Sequence, residues 1–244
     1  MIVVDINCDV GEGMENEAAL MPHISSCNIA CGGHAGTIDI IDTTIQLAQQ
    51  YAVKIGAHPS FPDTTNFGRK ILEMSPDALQ KSIEKQLNLM CERLAILDAK
   101  LHHVKAHGAL YNLSAIDEVT AKVLVKAIKN TTDEVFLYVP YNSVIERIAL
   151  QNNIKVIYEA FADRNYNDDL SLVSRSKKNA LISDEAAVFK HVYTMVTNQK
   201  VTTISGLEVA IKAHTFCVHG DHPQAILLVE NLVKSLQKHN INVR

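Results

Sequence analysis

The stretch CNIACGGHAGTIDIIDTTIQLAQQY, residues 27–51, decides the fold. It opens on an apolar run at 27–31, passes through glycines that flank His34, and from Ile38 onward returns apolar residues at helical spacing. Glycine lets the backbone turn sharply and lets another group come close. The stretch therefore predicts a strand, a tight connection that presents His34, and a helix. The same succession recurs along the chain. Strands are expected at 2–10, 27–31, 53–58, 101–107, 135–139, 155–162 and 215–219, and helices at 38–51, 77–98, 119–129, 143–151, 184–197 and 223–238. Capping signals mark several helix starts, among them Ser75 before Pro76 and Ser183 before Asp184. Strands separated by helices imply a parallel sheet. About seven such units in 244 residues suit a closed (β/α) barrel of the α/β class better than a doubly wound open sheet. The segment 201–212 breaks the rhythm and predicts a hairpin around Ser205 and Gly206. With no linker, repeat or low-complexity stretch, one domain over residues 1–244 is expected.

Composition narrows the function classes. A hydrophobic content of 47% is ample for a packed core, while a net charge of −4 offers no basic field for a phosphate backbone, so no nucleic-acid partner is expected. Asp5 and Asp9 interrupt the N-terminal apolar stretch, and no run approaches the ~18 apolar residues of a membrane span. A cytoplasmic protein without a membrane partner is the expectation. The odd count of five cysteines agrees, and Cys8, Cys27, Cys31 and Cys217 read as small buried thiols inside strands. Eleven histidines and no tryptophan form the one compositional oddity. There is no GxxxxGK[ST] phosphate loop, no completed GxGxxG and no GxSxG elbow, which argues against a serine hydrolase.

In a parallel barrel, chemistry gathers at the carboxyl ends of the strands. The expected strands here end in DINCDVGEG, CGGHAG, GAHPSFPD, KAHGALYN, EAFADRNY and FCVHGD. Asp5, Asn7 and Asp9 alternate on one face and point inward, with Glu12 in the turn that follows. His103, Lys105 and His107 alternate in the same way, whereas one of His102 and His103 must face the helices. The inward Lys105 is either paired with a carboxylate such as Asp9 or poised for an anionic substrate. His34, His58, His107 and His219 fall at four strand ends. Such a cluster serves either metal ligation with a carboxylate such as Asp9 or general acid–base work. Arg69, Arg164 and Arg175, near strand ends, suit two-pronged capture of an anion.

Taken together, residues 5–13, 25–36, 56–70, 104–112, 159–166, 172–175 and 216–221 resemble the LamB/YcsF family, the A subunits of bacterial 5-oxoprolinase. The resemblance runs in order through nearly the whole chain. It implies a seven-stranded barrel similar to those of sugar deacetylases. It also implies ATP-dependent opening of 5-oxoproline to L-glutamate together with partner subunits B and C, with ATP as co-substrate. The site would then comprise Asp9, Glu12, His34, His58, Lys105, His107, His219 and Asp221 as catalytic residues. Asn7, Arg69, Asn112, Asp163, Arg164 and Arg175 would hold the substrate. A divalent metal is open on this reading. The alternatives are a self-sufficient metal-dependent hydrolase or deacetylase, and a non-catalytic subunit that binds the lactam. The chain departs from the family pattern at Gly33, Thr37 and Ala106, where the family carries a Phe, an acid and a Pro, and around residues 138–142. These departures touch loop shape and remove no charged candidate.

Overall fold

Seven parallel strands close on themselves in a computed structural model that describes residues 2–244. In chain order the strands are β1 (Ile2–Val10), β2 (Ser26–Ala30), β3 (Lys54–His58), β4 (Leu101–Val104), β5 (Phe136–Pro140), β6 (Lys155–Phe161), the hairpin pair β7 (Lys200–Thr202) and β8 (Glu208–Ala210), then β9 (Thr215–Val218) and β10 (Ile241–Val243). The helices are α1 (Glu17–Leu20), α2 (Ile38–Gln50), α3 (Pro76–Ile96), α4 (Gly108–Ser114), α5 (Glu118–Thr131), α6 (Val144–Gln151), α7 (Glu185–Asn198) and α8 (Ala225–Lys238). Strands β1 to β6 pair in sequence order, and β9 closes the ring: Thr215 is in register with both Asp5 of β1 and Glu159 of β6. The architecture is a (β/α) barrel with the expected seven strands.

The helices form where the sequence places their caps and apolar stripes. In α2, Ile41, Thr44, Ile45 and Ala48 are buried at i, i+3, i+4 and i+7, and Thr37 accepts a hydrogen bond from the Ile40 amide. Ser75, Asp117 and Ser143 cap α3, α5 and α6 in the same way. The expected cap at Ser183 is corrected to Asp184, whose carboxylate accepts from the Ala187 amide, while Ser183 instead meets His222. Each such cap contributes about 1 kcal/mol. Expected strand ends differ by a few residues; β4 stops at Val104 because the chain after it turns into α4, a short helix without a periodic apolar run long enough to announce it. The short α1 and β10 also escaped the pattern. The hairpin at 200–210 forms as expected, with Val201 opposite Val209.

The polar barrel interior sits inside an apolar shell. On β1, Ile6, Cys8 and Val10 join the hydrophobic core, and Asp5, Asn7 and Asp9 take the opposite face. Two glycines are required by close approach. At Gly36, φ is +93° and an added Cβ would lie 2.2 Å from the Ala30 carbonyl oxygen, so the turn that carries His34 tolerates no side chain. Gly56 is next to His103 in the β3–β4 register, and a Cβ there would lie 2.1 Å from its Nε2. That ring is fully buried and stacks on Tyr138 at 3.8 Å. Gly56→Ala is expected to destabilise the chain by about 1–3 kcal/mol through overpacking. Thermal melting of the variant checks this; an unchanged midpoint would mean that the ring moves freely. No helix among the described residues is long and apolar enough to cross a membrane.

Candidate active site

Inside the barrel, a ladder of polar groups climbs from floor to mouth. At the floor, Asp5 accepts hydrogen bonds from Ser26 Oγ and Thr215 Oγ1, each at 2.6 Å. Above it, Asn7 Nδ2 donates to Glu159 Oε1 (3.0 Å) and Thr215 Oγ1 (2.7 Å). Asn28 Nδ2 donates to Asn7 Oδ1 and Asp9 Oδ1, both at 2.8 Å, and its Oδ1 accepts from His103 Nε2 at 2.7 Å. Lys105 occupies the centre. Its Nζ lies 2.9 Å from both Asp9 Oδ1 and Glu159 Oε1, 3.0 Å from Cys217 Sγ and 3.3 Å from Asn7 Oδ1.

This ammonium is only 2% exposed, and burying it alone would cost several kcal/mol; the two carboxylates offset that cost. Burial alone would lower the Lys105 pKa, but Asp9, Cys217 and Glu159 raise it well above the usual lysine value. Burial would likewise raise the Asp9 carboxyl, and here His58 and Lys105 hold it well below the usual range. Cys217, expected as plain packing, therefore lines the interior; burial, reinforced by Asp9, pushes its thiol well up. Cys8, Cys27 and Cys31 are buried free thiols as expected.

Three histidines meet at the mouth. His58 Nδ1 donates to the Lys105 carbonyl at 2.7 Å, which turns Nε2 toward Asp9 Oδ2 (3.4 Å) and Glu12 Oε1 (3.9 Å). His107 Nε2 donates to the Phe67 carbonyl at 2.9 Å, leaving Nδ1 3.0 Å from His58 Nε2 and 3.3 Å from Glu12 Oε1. His34 stacks on His107, ring centroids 3.7 Å apart, and its Nε2 donates to Glu12 Oε1 at 2.9 Å. Burial, helped by His58 and His34, holds His107 well below the usual imidazole range; burial also lowers His34. Asp9, Glu12, His58 and His107 each offer one ligand atom, all within 4.8 Å of one another, a group able to hold a metal ion.

A second flank carries the arginines. Asp163 is fully buried and accepts from both the backbone amide (2.9 Å) and Nδ1 (2.9 Å) of His219, which leaves His219 Nε2 as a lone-pair acceptor. Burial would raise the Asp163 carboxyl, but His219 outweighs it and the carboxyl sits below its usual value. Arg164 Nη2 donates to the Val173 carbonyl at 2.6 Å, and burial, with help from the nearby Arg175, pulls its guanidinium down to about 10. Arg69 is ion-paired with Asp221, and Arg175 approaches the same carboxylate at 3.8 Å.

The structure thus gathers Asn7, Asp9, Glu12, His34, His58, Lys105 and His107, joins Asp163 to His219, and groups Arg69, Arg164 and Arg175 near Asp221. Asn112 is exposed on α4, outside these sets, because the residue before it, Tyr111, takes the buried face of that helix. Glu159 and Asn28 belong to the interior and were not singled out, while of the adjacent pair His102 and His103 it is His103, read as alternating with Lys105 and His107, that is fully buried there. The signal was present. Period-two alternation extended along β6 and β2, as it is along β1, places Glu159 with Phe161 and Asn28 with Ser26 on the inward face.

Named relatives are similar to this chain over its full length. The chain is 40% identical to the A subunit of a 5-oxoprolinase from Campylobacter jejuni subsp. doylei over 250 residues, covering 100% of this chain and 97% of that protein. It is 37% identical to the corresponding 5-oxoprolinase subunit from Bacillus cytotoxicus, covering 100% and 98%. The crystal structure of a lactam utilization protein from Thermus thermophilus superposes with a TM-score of 0.93 at 33% identity, covering 100% and 99%. A T48 deacetylase, at a TM-score of 0.50 and 13% identity, shares the barrel fold alone. The profile of the LamB/YcsF family matches residues 4–244. By that match and those relatives, the chain belongs to the LamB/YcsF family.

Proposed function

We propose that this chain is the A subunit of an ATP-dependent 5-oxoprolinase, which opens 5-oxo-L-proline to L-glutamate coupled to hydrolysis of ATP to ADP and phosphate, in a cytoplasmic assembly with subunits B and C. The observation that carries the reading is the buried convergence of Asp9, Glu12, His58, Lys105 and His107 in a chain similar over its full length to proteins named for that activity.

The lactam amide is resonance-stabilised and resists water. Phosphorylation of its oxygen by ATP, the co-substrate, makes the ring carbon electrophilic; one water adds there, the C–N bond breaks as the ring nitrogen takes a proton, and the acyl phosphate so formed loses phosphate to a second water, giving glutamate. In this scheme the guest's negative charge rests on the arginine flank. Arg69, Arg164 and Arg175 outnumber the two carboxylates of that flank, Asp163, which holds His219, and Asp221, which holds Arg69 and Arg175. Asp221 is the counter-ion shared by Arg69 and Arg175 in this scheme. Of the two expectations for Lys105, pairing with a carboxylate such as Asp9 or readiness for an anionic guest, the contacts with Asp9 and Glu159 favour the first, and the ammonium keeps Asp9 ionised. Asp9 or Glu12 orients the water. The neutral ring of His219, aligned by Asp163, or that of His107 first takes a proton from the attacking water and then passes it to the departing ring nitrogen.

Glutamate release from 5-oxoproline and ATP, measured with this chain alone and then with the two partner subunits, tests the reading. Turnover that requires the partners is expected; no glutamate from the folded assembly would overturn it. Arg69→Gln is expected to raise KM for 5-oxoproline about 10-fold with kcat nearly unchanged, the loss of one charge-assisted contact. Steady-state kinetics check this, and an unaltered KM would remove Arg69 from the substrate's grip.

A further inference from the structure

We propose that Asp9, Glu12, His58 and His107 bind one divalent transition-metal cation of the zinc class. The inference concerns the site used above but does not depend on which reaction occurs there.

It starts from the proton inventory of two rings. His58 spends Nδ1–H on the carbonyl of Lys105, and His107 spends Nε2–H on the carbonyl of Phe67. A carbonyl only accepts, so in both rings the hydrogen of the neutral form is committed away from the mouth. The nitrogens left over, His58 Nε2 and His107 Nδ1, then confront each other with lone pairs at 3.0 Å. Two lone pairs at that distance repel unless a cation lies between or beside them. The neighbouring acceptors sharpen the demand: Asp9 Oδ2 is 3.4 Å from His58 Nε2, and Glu12 Oε1 is 3.3 Å from His107 Nδ1. With both rings neutral, four lone-pair donors thus converge with no hydrogen of their own among them, and the positive charge that Asp9 meets on this side is the metal's.

Charge points the same way. Asp9, Glu12 and Glu159 are three buried or nearly buried carboxylates around a single ammonium, that of Lys105. Lys105 is engaged with Asp9 through Oδ1, which leaves Oδ2 free to face the histidines. His34, stacked on His107, donates to the same Glu12 oxygen that faces His107 and so fixes it in place. A divalent cation would balance the two uncompensated charges.

The donor set of two imidazoles and two carboxylates suits zinc, cobalt(II) or manganese(II) rather than calcium. Bonds of about 2.0–2.2 Å place adjacent donors about 3–3.5 Å apart, which matches three of the separations above. Carbonyl contacts that fix the tautomer of each histidine, and a lysine and a histidine that fix the carboxylates, are the outer support such sites carry.

The test is metal uptake by the purified chain, without substrate, ATP or partner subunits. After chelator treatment, titration with zinc or cobalt(II) should show one equivalent bound, and cobalt should give visible d–d bands of a nitrogen- and oxygen-ligated ion. His58→Ala and His107→Ala should each weaken binding at least 10-fold, with circular dichroism confirming the fold. His239→Ala, at the far end of α8, should bind as the parent does. Uptake that fails in the folded parent, or that survives loss of both histidines, overturns the proposal. A pair that instead shares a proton would show no uptake and a far-downfield N–H resonance coupled to both rings, which also overturns it. Metal bound without glutamate formation by the full assembly would count against the proposed function only.

Discussion

Lys105→Met is expected to cost the folded chain about 3–5 kcal/mol, because it strands two buried carboxylates without their cation. For a chain of this size that is a fall of roughly 6–20 °C in the melting midpoint. Glutamate formation should vanish with it, since Asp9 would lose the charge that keeps it ionised. The pH dependence identifies the cause. In the parent, the Asp9 carboxyl is held below its usual value, so its contribution is present above the unfolded pKa of about 4 and is lost as pH falls through the lower folded value. Lys105 is raised, so its contribution is present below about 10.4 and is lost only as pH rises through the higher folded value. The parent pair therefore holds between those limits. In the variant, protonation of Asp9 relieves the unbalanced charge, so the deficit should shrink as pH falls from 7 toward 5. Melting curves of both proteins across that range check this. A constant deficit would show that the loss is one of packing rather than charge.

Removal of the His107 ring is the second large effect. His107→Ala should lower glutamate formation by about a hundred- to ten-thousand-fold, the range for loss of a proton-transfer group. The stability loss should be smaller than for Lys105, because a neutral ring leaves and no charge is stranded. His107→Asn restores an acceptor near the Nδ1 position without a group that shuttles protons. Recovery of metal uptake without recovery of turnover would separate ligation from proton transfer. Burial keeps His107 below the usual imidazole range, so the ring stays neutral at neutral pH. The unfolded chain takes up that proton near pH ~6.5 and the folded ring does so only at lower pH, so stability declines as pH falls below about 6.5. The rate should hold between pH 8 and about 6.5 and fall only in more acid solution. A rate that falls with a midpoint at or above about 6.5 would count against the neutral, buried ring.

Much of this arrangement was legible in the residues. Alternation along 5–9 and 103–107 placed Asn7, Asp9, Lys105 and His107 inside the barrel before any contact was known, because a strand sends successive side chains to opposite faces. The same rule, carried along β6, places Glu159 inside as well, whereas Cys217 reads from the sequence as an ordinary buried thiol. The resemblance to a family supplied the proposed reaction but not the partnering of Asp221, which depends on loops after β3 and β6 reaching the loop after β9.

By itself the sequence determined the succession of strands and helices, the inward face of each strand and the histidines at their ends, all consequences of local periodicity and of glycine-bearing turns. Only the tertiary structure decided which charges meet. Asp9, Lys105 and Glu159 come from β1, the end of β4 and β6, and closure of the ring through β9 brings them within 2.9 Å. Strand register sets such distances, and in a buried interior of low dielectric those distances decide whether a lysine grips a guest or holds its own neighbours.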